Sequence, residues 1–87
     1  MLPIRIYRNR IIYNAKHTGL AQAGSASTIT LAASAPGDYL GHRVRLESGA
    51  GSGQMRTIKA YDSVTKVATV DPDWTTAPIA TDQYRVI

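Results

Sequence analysis

Short segments of alternating polar and apolar residues, separated by turn residues, dominate this 87-residue chain. In HRVRLES, residues 42–48, Val44 and Leu46 alternate with arginine and glutamate. A period of two is that of a β-strand with one buried and one solvated face. Turn signals recur roughly every 8–12 residues, and no segment has a convincing helical pattern. We therefore predict an all-β fold, a small antiparallel β-barrel or sandwich.

Five segments carry the strand pattern, namely residues 27–31, 42–48, 54–62, 66–70 and 83–87. Tyr61 interrupts the alternation of the third segment, which predicts a β-bulge near Ala60 and Tyr61. Residues 71–82 read as a long loop that carries Trp74. Either this tryptophan covers one end of the core, or it anchors an interface with a partner.

Three glycines at alternate positions, Gly49, Gly51 and Gly53, lie between two predicted strands. A dinucleotide-binding fingerprint would need a glycine where the chain has Gln54, followed by a helix. A Walker A loop would end in Gly-Lys-Ser/Thr, which is absent from the sequence. We therefore predict structural turn residues, required for positive φ or close backbone approach, and no phosphate site.

The positive charge of the chain is concentrated at its N-terminus. Residues 1–18 carry four basic groups, Arg5, Arg8, Arg10 and Lys16, and no acid. Residues 19–87 carry six basic and six acidic groups. The chain thus reads as a neutral body with a basic arm. The arm could contact phosphates, but a neutral body should offer no basic face to extend the contact, so nucleic acid is not the expected partner.

Residues 1–20 are predicted to form an extended arm, residues 21–26 a flexible connector, and residues 27–87 the β-module. The arm forms either a hairpin that turns at Arg8-Asn9-Arg10 or a lone strand, and both need a surface to pack on. That surface belongs to its own body, to a neighbouring protomer or to another protein. The predicted partner-binding residues are Ile4, Arg5, Ile6, Tyr7, Arg8, Arg10, Ile11, Ile12, Tyr13 and Trp74.

The sequence contains no recognisable catalytic or metal-binding constellation. It has no cysteine, and His17 and His42 lack the spacing of metal ligands. Asp71 and Asp73 flank Pro72 and are expected to shape a turn. We therefore expect no enzyme, metal or cofactor. No run of residues is long and apolar enough for a transmembrane helix. A small core without phenylalanine favours homo-oligomerisation, with a trimer preferred.

A set of motifs follows the strand pattern along residues 27–87. They are Tyr39 and Gly41; Ser48 to Ile58 (S-G-x-G-x-G-Q-x-R-x-I); Tyr61-Asp62 with Thr65; Ala68 to Val70; Trp74 and Pro78; and Tyr84 to Ile87. In these motifs the segment resembles a small β-module of tailed-bacteriophage virion structural proteins. The resemblance implies a structural role, in a tail, baseplate or head-decorating protein, with no catalytic residues.

Two functions follow from the arm and the resemblance. The first is a capsid-decorating, cement or minor capsid protein on the virion surface, which docks on the major capsid protein through its basic, apolar arm. The second is a tail- or baseplate-associated module that binds carbohydrate or protein. A carbohydrate site would need an aromatic platform, and only Trp74, near Asp71 and Asp73, offers one.

Overall fold

The computed structural model of the protein describes residues 15–87. Its strands are β1 (His17–Leu20), β2 (Ala23–Gly24), β3 (Thr28–Thr30), β4 (Arg43–Leu46), β5 (Met55–Asp62), β6 (Val67–Asp71) and β7 (Gln83–Val86). They form one antiparallel sheet of order β1-β7-β4-β5-β6-β3-β2. The predicted all-β antiparallel fold is confirmed. Within residues 15–87, no helix is long and apolar enough to cross a membrane.

The sheet surrounds a single core. Strands β3 to β7 each bury at least one residue on the same side. The fully buried side chains include Ile29, Val44, Leu46, Ile58, Val70, Tyr84 and Val86. Residues of the connecting segments complete the core, namely Ala21, Leu31, Ala35, Tyr39 and Trp74. The sheet is not closed into a barrel, because its edge strands β1 and β2 do not pair with each other. Because buried residues alternate with more exposed ones along β4, β6 and β7, one face of the sheet packs on the core and the other faces water.

A β-bulge interrupts β5. Ile58 pairs with Val70 and Ala60 pairs with Thr69, so that Lys59 is the additional residue on this strand. The extra residue shifts the alternation by one position. As a result Tyr61, and not Ala60, packs against the core. This confirms the bulge predicted near Ala60 and Tyr61.

The three glycines form the turn between β4 and β5, as predicted. Gly49 and Gly53 have φ angles of 86° and 96°, which L side chains rarely adopt. Gly51 serves close approach instead, because a Cβ there would lie 2.9 Å from the carbonyl oxygen of Thr76 and would collide with the amide nitrogen of Gln54. The alternating glycines are thus structural turn residues.

The sheet begins earlier in the chain than predicted. His17–Leu20, assigned above to the arm, is the edge strand β1 and pairs with β7 from His17↔Val86 to Leu20↔Gln83. Ala23–Gly24, assigned to a flexible connector, pairs with β3. Neither stretch is rich in β-branched residues, and only the hydrogen bonds offered by β7 and β3 make them strands. The predicted boundaries at residues 20 and 26 are therefore corrected.

Candidate functional site

The candidate site surrounds β1, the strand that follows residues 1–14, which we call the N-terminal segment. On its inner side, Nε2 of His17 lies 2.7 Å from the hydroxyl of Tyr84 on β7. The same hydroxyl accepts the backbone N–H of Ala32 at 2.8 Å. All three groups are satisfied when Tyr84 donates its single proton to a neutral imidazole that is protonated on Nδ1. This chain of hydrogen bonds fastens the edge strand to the sheet.

An aromatic cluster lies beneath the same strand. The ring of Tyr39 stacks on His17 at 5.9 Å and meets His42 and Tyr61 edge-on at 5.9 Å and 5.6 Å. Burial lowers the pKa of His17 below its ordinary value, and the positive charge of Lys66 lowers this pKa further. Both effects favour the neutral imidazole that the hydrogen bond to Tyr84 requires.

Tyr61 and Tyr84 are packing groups of this region. Burial raises the pKa of Tyr61 and of Tyr84, and the neighbouring acids and tyrosines add to the effect at Tyr61. The Tyr84 side chain is buried, and its hydroxyl is already bonded to His17 and Ala32. The cluster therefore holds β1 in place rather than presenting a reactive group to solvent. Residues 15–87 contain no group of three or more potential metal ligands.

The solvent-facing side of β4 and β7 carries charged side chains. Arg45 of β4 and Arg85 of β7 lie directly opposite each other, and Glu47 reaches both, with its oxygens 3.5 Å from Arg45 Nε and 3.7 Å from Arg85 Nη2. Arg43, two residues before Arg45, lies on the same face. We call Arg43, Arg45, Arg85 and Glu47 the cationic cluster. The expectation that the body offers no basic face is wrong, because the fold gathers charges that are dispersed in the sequence.

An open groove of about 530 Å³ adjoins this cluster along β1 and β7. Its lining residues are Thr18, Gly19, Leu20, Glu47, Gln83, Tyr84 and Arg85. Leu20 is 45% exposed, so the groove offers an apolar side chain beside the charged ones. The groove and the cationic cluster form one continuous outer surface next to the point where the N-terminal segment enters the sheet.

Trp74 lies in the core and is only 5% exposed. Its indole N–H donates to the carbonyl oxygen of Thr28 at 3.2 Å, and the guanidinium of Arg56 lies 5.7 Å from its ring centre. Arg56 in turn donates to the carbonyl oxygen of Asp73 at 3.0 Å. Trp74 therefore covers the core, and the prediction that it binds a partner is corrected. For the same reason it offers no platform for a sugar ring.

Gln54 organises the loop that carries Trp74. Its amide nitrogen donates to the carbonyl oxygens of Gly51 and Thr76, at 3.1 Å and 2.8 Å. Its amide oxygen accepts the N–H groups of Thr75 and Thr76, at 2.7 Å and 3.0 Å. One side chain thus ties the glycine turn to the loop before β7, a role that the sequence analysis missed.

The other predicted partner-binding residues lie outside the described residues. They are Ile4, Arg5, Ile6, Tyr7, Arg8, Arg10, Ile11, Ile12 and Tyr13. Their role stays a prediction. The alternation of residues 42–48 places Arg43 and Arg45 on the solvent side of their strand, but it does not predict the cationic cluster. The alternation in the segment QYRVI was the available signal for Arg85, but it does not show that β7 lies beside β4.

The chain was compared with protein-family models, curated proteins and solved structures. None of the three comparisons gives a match. The motifs, the fold and the surfaces around β1 therefore carry what is proposed about function.

Proposed function

We propose that this chain is a non-enzymatic structural protein of a tailed-bacteriophage virion, a capsid-decorating protein that docks on the major capsid protein through its N-terminal segment. The observation that supports the proposal is that the motif residues stabilise the fold itself. Four polar side chains of the motif, Ser48, Gln54, Asp62 and Tyr84, form hydrogen bonds within their own domain. This is the behaviour of a scaffold that presents other surfaces.

Three motif residues besides Gln54 illustrate this stabilisation. The hydroxyl of Ser48 accepts the N–H of Gln83 at 2.9 Å, which connects the glycine turn to β7. The carboxylate of Asp62 accepts the N–H groups of Val64 and Thr65, at 2.8 Å and 3.1 Å, and so forms the turn after β5. The hydroxyl of Tyr84 holds β1, as described above. The motif therefore builds a small rigid module.

The edge strand supports docking through the N-terminal segment. β1 is at one end of the described sheet, and residues 1–14 come two residues before it in the chain. A segment rich in isoleucine, tyrosine and arginine that leaves a sheet at its edge is suited to strand pairing with another chain. A homo-oligomer, with three copies preferred, would cover the apolar side chains of this segment.

A tail-associated module is the alternative position in the virion. A carbohydrate-binding module at the tail would need Trp74 as its aromatic platform, and the burial of that side chain counts against this function. A protein-binding role at the tail would use the same N-terminal segment. The two positions differ in copy number, which the following experiment measures.

The test is the position and copy number of the protein in purified virions, by electron microscopy and quantitative mass spectrometry. Many copies distributed over the head are expected, with the N-terminal segment in contact with the major capsid protein. A few copies at the tail would move the protein to the alternative position. Absence from virions would end the proposal.

A further inference from the structure

The cationic cluster has an excess of positive charge that its own glutamate does not neutralise. Arg45 and Arg85 lie directly opposite each other on neighbouring strands, an arrangement that destabilises a sheet by charge repulsion. Glu47 contacts both, and Arg43 adds a third positive charge on the same face. Three guanidinium groups and one carboxylate leave two positive charges in excess. A fold that tolerates this repulsion presents a surface suited to an anionic partner.

The acids of the body lie away from this surface. Asp82 is buried and accepts the N–H of Ile79 at 3.1 Å, and Asp62 is used in its own turn. Asp71 faces outward on β6, but Thr57 of β5 lies between it and Arg43, a separation of about 10 Å across two strand spacings. The remaining acids, Asp38 and Asp73, are in loops. The near-neutral formal charge of the body therefore conceals a cationic half of one sheet face.

The N-terminal segment precedes this half-face in the sequence. β7 carries Arg85 and pairs with β1, which the segment enters. Residues 1–14 contribute Arg5, Arg8 and Arg10 and no acid. The N-terminal segment and the half-face carry charge of the same sign, so a partner that binds either of them by charge attraction is negatively charged.

The other side chains on the face favour a protein partner over a nucleic acid. Leu20 and Met55, 45% and 40% exposed, lie on the same face as the arginines. Among the described residues, Tyr39, Tyr61 and Tyr84 pack on the inner side of the sheet, where they cannot stack on bases. Arginine beside exposed aliphatic side chains is typical of protein–protein interfaces.

We infer that the outer face of β1, β7 and β4, centred on Arg43, Arg45 and Arg85, is a docking surface for an acidic protein surface. The inference rests on the proposed function, since it names the chemistry of the partner and a second contact beside the N-terminal segment. The guanidinium groups pair with carboxylates of the partner, and Leu20 and Met55 contribute apolar contact at the rim.

The test compares two full-length variants of equal net charge. The first, R43Q/R45Q/R85Q, removes three positive charges from the face. The second, S34E/V64E/A77E, adds three negative charges at exposed positions in turns and loops. Binding of a fluorescein-labelled polyglutamate peptide is measured by anisotropy at low salt, beside a single-stranded oligonucleotide of the same charge. We expect the arginine variant to bind the peptide about tenfold more weakly than the wild type and the control to stay within about twofold.

Three results would overturn the inference. Unchanged binding by the arginine variant would show that the peptide binds to the N-terminal segment alone. Equal weakening of both variants would show an effect of net charge only. Tighter, arginine-dependent binding of the oligonucleotide would make the partner a nucleic acid. If the triple variant does not fold, Arg43→Gln, whose side chain is outside the pairs with Glu47, should still weaken peptide binding by about threefold. Absence of the protein from virions would end the proposed function and leave this binding result unchanged.

Discussion

The imidazole of His17 and the hydroxyl of Tyr84 lie 2.7 Å apart and join the first strand of the described chain to the last. The same hydroxyl accepts the N–H of Ala32, just after β3. One phenol group therefore connects three segments that are distant in sequence. Because β1 is the edge strand of the described sheet and pairs there with β7 alone, its position depends on this contact more than that of a central strand would.

Acid should destabilise the fold through His17. Burial and then Lys66 hold its folded-state pKa below the ordinary 6.5, so the unfolded chain takes up a proton first as the pH falls. The contribution of His17 to the free energy of unfolding is therefore complete above about pH 6.5 and decreases toward the folded-state pKa. Melting temperatures between about pH 8 and about pH 5 should show this decrease. His17→Gln should flatten this decrease; the same profile in wild type and His17→Gln would contradict the assignment.

Removing the hydroxyl of Tyr84 should destabilise the protein by about 1–3 kcal/mol, because Tyr84→Phe leaves the Ala32 N–H and the His17 imidazole without their partner. Tyr61→Phe is the matched control, since the buried Tyr61 hydroxyl has no hydrogen-bond partner among residues 15–87 and its loss should cost little. Urea denaturation measures both. Equal losses of stability in the two variants would show that the hydroxyl of Tyr84 has no special role.

Gln54→Ala should loosen the loop that carries Trp74. It removes hydrogen bonds to the backbone of Gly51, Thr75 and Thr76, and should lower the free energy of unfolding by about 2–4 kcal/mol. Trp74 is the single tryptophan, so a red shift of its fluorescence reports exposure of the loop. Gln22→Ala, which removes one exposed hydrogen bond to Leu20, is the control and should change stability by less than about 0.5 kcal/mol. Unchanged fluorescence and stability in Gln54→Ala would refute the role of this side chain.

Gly51→Ala should destabilise the turn between β4 and β5 by about 1–3 kcal/mol. The added methyl group would lie 2.9 Å from both Leu46 Cδ1 and the carbonyl oxygen of Thr76, and it would displace the amide of Gln54. Ser52→Ala, in the same turn, loses only an exposed hydrogen bond to Glu47 and should be near neutral. Thermal melts of the two variants, with and without phosphate, test both the packing and the predicted absence of a phosphate site. A phosphate-dependent rise in melting temperature that Gly51→Ala abolishes would refute the structural interpretation.

Two truncations separate the N-terminal segment from the sheet. Removal of residues 1–14 leaves every described strand in place, so the module should stay folded but lose attachment to capsid shells that lack the protein. Removal of residues 1–20 also deletes β1 and uncovers β7, which should lower the melting temperature as well. Circular dichroism and co-sedimentation with shells give the two readouts. Attachment of the shorter truncation as strong as that of the full chain would show that the N-terminal segment is not the anchor.

The sequence by itself was sufficient to predict the structural features that depend on local interactions. The alternation around Val44 and Leu46 placed both in the core, and the alternating glycines were recognised as a turn between strands. The disturbed alternation at Tyr61 located the bulge of β5. Such features depend on the conformational preferences of neighbouring residues and on a period of two, and both are visible in a single chain.

The tertiary structure decided what depends on which strands become neighbours. His17–Leu20 is a strand because β7 offers it hydrogen bonds, and Trp74 is buried because Thr28 and Arg56 meet it from distant parts of the chain. Arg45 and Arg85 form one cationic surface only because β4 and β7 pair, although 40 residues separate them in the sequence. Strand order is set by burial and hydrogen bonding across the whole domain, so charges that cancel in the sequence can be segregated in space.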